Sequence, residues 1–167
     1  MGARGMQAAV DDLYRDHGGA ALRLAYLMTG DRARAEDVVQ DAFVRVLARL
    51  RHIRETESLR AYLTRTVVNL AKNEYRRESR LRAFVASGRA APPPSTSLPD
   101  LEGRGELHEQ LLQLPWRQRA ALVLRYCEDQ SEADVADALG TSPKAVRSLV
   151  GRALETIRTL NGETSHG

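Results

Sequence analysis

The stretch from Ala86 to Gly105 divides the chain. It carries three consecutive prolines, Pro92 to Pro94, among glycine, serine and alanine, and offers little to bury. Proline lacks an amide hydrogen and pushes the residue before it out of the helical region, so a run of three is extended and does not carry a helix. Whatever folds before this segment must close its core without it, and so must whatever follows. At 167 residues and 43% hydrophobic content, the chain can bury one modest core or two small ones. The expected organisation is a first domain over 1–85, a linker over 86–105 that is extended at the prolines and flexible elsewhere, a second domain over 106–161 and a tail over 162–167.

Apolar residues before the linker recur at three- and four-residue steps. From Gln7 to Met28 they are Val10, Leu13, Tyr14, Ala21, Leu24, Ala25 and Met28, and Gly30 stands where a left-handed residue closes a helix. Asp31 then caps a second helix reaching about Leu50, with Val38, Val39, Ala42, Phe43, Val46 and Leu47 inward. A third begins near Ser58, carries Leu59, Tyr62, Leu63, Thr66, Val67 and Leu70, and continues as a polar helix through Tyr75 to Arg82. No segment sustains a period of two, so the fold class is all-α, as two small helical domains.

Four helices are expected after the linker: Gly105 to Gln113, Pro115 to Cys127, Ser131 to Leu139 and Ser142 to Leu160. Pro115 restricts the residue before it and opens the next helix. Leu111, Leu114, Ala121, Leu122 and Leu124 supply an apolar face, and Trp116 and Tyr126 read as packing residues. The last two helices form a unit. Ser131 can accept from a free first-turn N–H, Gly140 can turn left-handed, and Thr141 or Ser142 caps the next helix with Pro143 in its first turn. Val135, Ala136 and Leu139 face Val146, Leu149 and Val150. That is the pattern of a helix-turn-helix, whose second helix can enter a DNA major groove and here leaves Lys144, Arg147, Ser148 and Arg152 outward. A protein-docking hairpin would use the same apolar pattern.

The formal net charge is only +3, and all but two of the 25 cations are arginine, Lys72 and Lys144 being the exceptions. Arginine richness alone is weak evidence of a nucleic-acid partner. Clustering is better: Lys72, Arg76, Arg77, Arg80, Arg82 and Arg89 stand against only Glu74 and Glu78. The single cysteine, Cys127, excludes an intramolecular disulfide and reads as a buried, inert thiol. The four histidines are scattered, and there is no His-Glu-x-x-His pair, phosphate loop or nucleophile elbow, so neither an enzyme, a metal site nor a cofactor is expected. With no apolar run of membrane-spanning length and no leader, the expected location is the cytoplasm, with no membrane association.

Several motifs occur together and in order: Asp12-Leu-Tyr14, Leu24-Ala-Tyr-Leu-Met-Thr-Gly-Asp31, Ala35-Glu-Asp-Val-Val-Gln-Asp-Ala-Phe43, Leu59-Arg-Ala-Tyr-Leu63, Val68-Asn69, Tyr75-Arg-Arg77, Leu114-Pro115 and the helix-turn-helix. Together they resemble the extracytoplasmic-function sigma factors of the sigma-70 family, over nearly the whole chain outside the linker and the tail. The resemblance implies a protein that binds core RNA polymerase, melts the promoter −10 element and reads the −35 element as duplex. A conventional helix-turn-helix regulator that forms no holoenzyme is the alternative. It leaves the basic third helix unexplained.

In this family the second helix docks on the clamp helices of the polymerase's largest subunit. The matching surface is Glu36, Asp37, Gln40, Asp41 and Arg45; the plainer alternative is that Glu36 and Asp37 only complement their own helix's positive end. The −10 pocket for a flipped base is expected from the loop Arg54, Glu55, Thr56, Glu57 and Ser58 with Asn69 and Asn73, whose amides both donate and accept toward a base edge. Asn69 has a simpler alternative, capping a local backbone kink. Arg65, Lys72, Arg76, Arg77 and Arg80 are expected to hold phosphates, and Ser142, Lys144, Arg147, Ser148 and Arg152 to meet −35 DNA. Lys144 departs from a frequent glycine. Arg117, Arg119 and Arg125 are further candidates for backbone contact or the polymerase flap. The paired tryptophans of housekeeping sigma factors are missing, which implies melting that depends on the captured base. The linker, with Asp100 and Glu102, is expected to thread toward the RNA exit path, and an anti-sigma protein is a possible partner.

Overall fold

The structure, a computed structural model, describes residues 2–50, 58–89 and 104–164. Among these residues it is all helix. α1 (Ala3–Thr29), α2 (Arg32–Arg49) and α3 (Leu59–Ala86) form the first bundle. α4 (Arg104–Gln113), α5 (Trp116–Leu122), which continues into a π-helical turn at Val123–Cys127, α6 (Glu132–Leu139) and α7 (Pro143–Thr164) form the second. Residues 90–103, most of the expected linker, lie outside the described residues, as do residues 51–57.

Local chemistry sets the helix ends. Asp31 Oδ1 accepts from the N–H of Arg34 at 3.0 Å, and Ser58 Oγ from that of Ala61 at 3.0 Å. Ser131 and Ser142 do the same for Asp134 and Ala145, both at 3.1 Å, so it is Ser142 that caps α7. Gly30 and Gly140 close α1 and α6 with φ of 75° and 63°, the left-handed conformation that glycine adopts without strain. Pro115 is the residue before α5 and not its first turn.

The first core is Leu24, Ala25, Met28, Val38, Val39, Val46, Leu63, Val67 and Val68 with their neighbours; the second is built from Leu111, Leu114, Trp116, Val123, Leu124, Val135 and Val146. The periodicity misplaces several residues. Tyr14 is 61% exposed, lying over the Phe43 ring at 5.2 Å from outside the bundle. Tyr126 is 63% exposed and Cys127 exposed, against the expected packing tyrosine and buried thiol. The π turn is the reason. Its Glu128 N–H reaches back five residues to the Val123 carbonyl (3.1 Å), which inserts a residue into the helical phase, swings Cys127 outward and carries Glu128 inward instead. Desolvation, then the Glu128 carboxylate, still push the Cys127 thiol pKa up, so it forms little thiolate.

The two bundles touch, and the contact is built on the C-terminal end of α1. The Gly30 N–H already closes on the Tyr26 carbonyl at 2.8 Å, and the second bundle adds donors to that carbonyl and to the one of Met28 beyond it. Arg119 Nη1 donates to the Met28 carbonyl at 2.7 Å, and His108 Nε2 to that of Tyr26 at 3.2 Å. Arg119 Nη2 holds the carbonyls of Leu112 and Leu114 at 2.9 and 3.1 Å. The Leu112 side chain fills the space beside Gly30, where a Cβ would sit 2.7 Å from it. Tyr75 and Trp116 stack at 5.5 Å, with the Arg119 guanidinium over both rings, and Arg23 pairs with the buried Glu128 at 3.3 Å. Arg119 is 3% exposed. In this arrangement it is a bundle-to-bundle tie and not a surface cation open to DNA or the polymerase flap.

Candidate nucleic-acid interface

Three helices each leave one polar face uncovered. On α2 the apolar stripe Ala35, Val38, Val39, Ala42, Phe43 and Val46 is buried, and Glu36, Asp37, Gln40, Asp41 and Arg45 are all exposed on the other side. Glu36 pairs with Arg32 at 3.0 Å. Neither Glu36 nor Asp37 lies in the first turn, where a helix dipole acts, so the dipole explains them poorly. Val44, 65% exposed, stands within this face. It escaped the sequence reading because one valine has no period; its place four residues after Gln40 was the available signal.

α3 runs unbroken through Asn69. Asn69, Asn73, Arg76 and Arg80 recur at helical steps along one exposed stripe, with Arg77 beside it and Lys72 and Arg65 half-buried at its edge. The Arg65 guanidinium lies 5.7 Å from the Tyr62 ring centre. Asn73, Arg76 and Arg80 come together with Tyr75 and Ser79 around an open depression of about 460 Å³. Asn69 is on the same stripe but outside that lining, and Arg54, Glu55, Thr56 and Glu57 lie outside the described residues. Ser58 caps α3. Tyr75 and Ser79 were not expected in a site. Glu78 binds Arg34 at 2.7 Å and Arg82 at 2.8 Å, which removes Arg82 from the free cations and leaves Arg76 and Arg80 to set the potential here.

α6 and α7 meet through Val135, Ala136 and Val146, all buried, with Leu139, Leu149 and Val150 against them. The outer face of α7 presents Lys144, Arg147, Ser148 and Arg152, all exposed. Ser142 spends its oxygen on the Ala145 N–H, and a hydroxyl used as an acceptor keeps its own hydrogen to donate. Arg147 Nε meets Glu132 Oε2 at 3.2 Å across the two helices.

The sequence matches the family model for sigma-70 region 2 over residues 13–81 and that for sigma-70 region 4 over residues 104–157. An ECF RNA polymerase sigma factor, SigL of Mycobacterium tuberculosis, is 32% identical over 94% of this chain and 92% of its own length. The chain is an ECF sigma factor. Another, SigE of Mycolicibacterium smegmatis, is 30% identical over 93% of this chain and 64% of that longer protein. Among solved structures, CnrH, in complex with the cytosolic domain of CnrY, superposes with a TM-score of 0.72 at 26% identity, covering 94% of this chain and 90% of that one.

As an ECF sigma factor the protein directs transcription initiation, which rules out the reading as a regulator that forms no holoenzyme. Region 2 spans the α1–α3 bundle with the α2 and α3 faces, and region 4 spans the helix-turn-helix. Among the described residues no helix is long and apolar enough to cross a membrane, and no cluster of three or more metal-ligating side chains occurs.

Proposed function

We propose that this sigma factor divides promoter recognition among its three exposed faces, over the domain limits 1–85, 86–105 and 106–161. The α2 face, with Glu36, Asp37, Gln40, Asp41 and Arg45 around Val44, docks core polymerase on the clamp helices of its largest subunit. Acid and amide side chains on a rigid helix suit a basic partner, and opposite charge speeds encounter and fixes register. The α3 stripe takes the −10 strand: Asn69 and Asn73 read an extruded base together with the loop 54–58, and Arg65, Lys72, Arg76, Arg77 and Arg80 hold phosphates. The outer face of α7 enters the major groove of the −35 element with Arg147, Ser148 and Arg152, while Ser142 and Lys144 contact its edge.

The observation that carries this reading is the separation of roles along each helix. Every expected contact residue on α2 and α7 is exposed while the opposite stripe of the same helix is buried. The protein works in the cytoplasm, where polymerase and chromosome are, and has no catalytic activity or cofactor of its own. Bartonella quintana RpoE has been solved with the anti-sigma factor NepR; an anti-sigma protein is a partner we propose here as well.

Transcription with purified core polymerase tests the reading. Wild-type protein is expected to confer initiation at a defined start site. Arg147→Ala should relax base preference at one −35 position by about 1–3 kcal/mol, whereas Lys144→Ala should weaken all sequences alike and flatten the salt dependence. Failure to bind bare core polymerase, or an unchanged preference in Arg147→Ala, refutes it.

A further inference from the structure

We infer that Glu132 is a specificity-determining positioning residue of the −35 reader, acting through Arg147. The inference rests on the reading of α7 given above. Glu132 is the first residue of α6, directly after the Ser131 cap, and its carboxylate crosses to the recognition helix to take the Arg147 Nε at 3.2 Å.

A guanidinium offers five N–H donors in a fixed fork. With the Glu132 carboxylate paired on the Nε side, the two Nη groups at the tip remain turned away from it as a parallel donor pair, the arrangement that matches O6 and N7 of a guanine. Arg147 is 65% exposed and would otherwise sample many rotamers; the ion pair with the neighbouring helix removes part of that freedom before DNA arrives. The carboxylate is itself steadied, because it lies in the first turn of α6 beside the unpaired N–H groups of that end.

Glu132 has an opposite effect on DNA in general. It is 39% exposed and lies on the side of the motif that carries Arg147, so its negative charge repels phosphates of any sequence and offsets one cation. Glu132 therefore raises discrimination while lowering non-specific affinity. A residue that merely stabilises the fold cannot move those two quantities in opposite directions.

The test uses holoenzyme reconstituted from core polymerase and the full chain, on promoters randomised across the −35 element, with retention on unrelated duplex DNA measured alongside. Glu132→Ala is expected to reduce discrimination about two- to tenfold at the one base pair that Arg147→Ala also relaxes. It should also increase binding to unrelated DNA. Glu132→Gln, which keeps a neutral acceptor, should fall between, and in an Arg147→Ala background neither Glu132 variant should alter the preference further. Discrimination unchanged in Glu132→Ala while Arg147→Ala relaxes it overturns the inference and leaves the α7 reading standing, as does a parallel loss on all sequences. An Arg147→Ala holoenzyme with full base preference overturns both.

Discussion

Gly30 and Gly140 have the same backbone conformation and different surroundings. Both close a helix at positive φ, so an alanine at either place strains the backbone by about 1–2 kcal/mol. At Gly140 the space beyond is open, whereas at Gly30 the new methyl meets Leu112 of the second bundle. Gly30→Ala is therefore expected to lose more stability than Gly140→Ala in urea unfolding and to loosen the contact between the bundles as well. Both glycines are plain in the sequence as helix stops; that one also receives a side chain from far along the chain is not. His108 shows the same limit. Burial holds its imidazole below the ordinary 6.5, against the smaller opposing effect of its bond to Tyr26. Between that lowered pKa and 6.5 the unfolded chain binds more protons than the folded one, so stability falls as pH drops through the window. His108→Gln, which retains a donor for the Tyr26 carbonyl, should flatten this acid-side loss in melting curves recorded from pH 7.5 to 5.

α2 and α7 were readable because each has a buried stripe and a polar one, and 3.6-residue periodicity reports that division directly. Contact energy on such a face concentrates in a few desolvated side chains. Val44→Asp is accordingly expected to weaken core-polymerase binding by more than about 1 kcal/mol, measured by competition against the wild-type protein. α3 was less readable, since its depression needs Tyr75 and Ser79 beside Asn73, Arg76 and Arg80, and polar residues have no period that marks which of them converge. Asn69→Ala should impair open-complex formation on an intact promoter and less so on a pre-melted one; a defect that pre-melting does not reduce argues against a melting role. The turn at Val123–Cys127 was unreadable, because a π-helical insertion shifts the helical phase by one residue just where the apolar run ends at Glu128, leaving no later repeat to reveal the shift.

The arrangement of the two bundles sets a requirement for the complete protein. The −10 and −35 elements stand about 25 base pairs apart by their positions, roughly 85 Å at 3.4 Å per pair. Two bundles held together by the bond from Arg119 to Met28 form one body, which sets their α3 and α7 faces at a fixed separation. On the proposed reading, joint readout of the two elements is expected to need this contact to part, and Arg119→Met is expected to ease it. The variant keeps the stem length and gives up the bond to Met28. The expected outcome is a larger radius of gyration in solution scattering and faster assembly with core polymerase. Because Arg119 also holds Leu112 and Leu114 within its own bundle, Arg23→Ala, which breaks only the pair with Glu128, provides the second variant. A compact scattering profile for both variants, unchanged from wild type, would show that other contacts hold the bundles closed.

Helix count, caps, the helix-turn-helix and the polar faces follow from residues within a few turns of one another, and such information is stored locally in a chain as periodicity and end chemistry. The burial of Arg119, the pairing of Arg23 with Glu128 and the seat of Leu112 on Gly30 join residues some eighty to a hundred positions apart. No local pattern encodes these contacts. An arginine in an apolar helix looks the same whether it faces water or the carbonyls of another helix's end, and only the docking of one bundle on the other brings the carbonyls that make its burial tolerable.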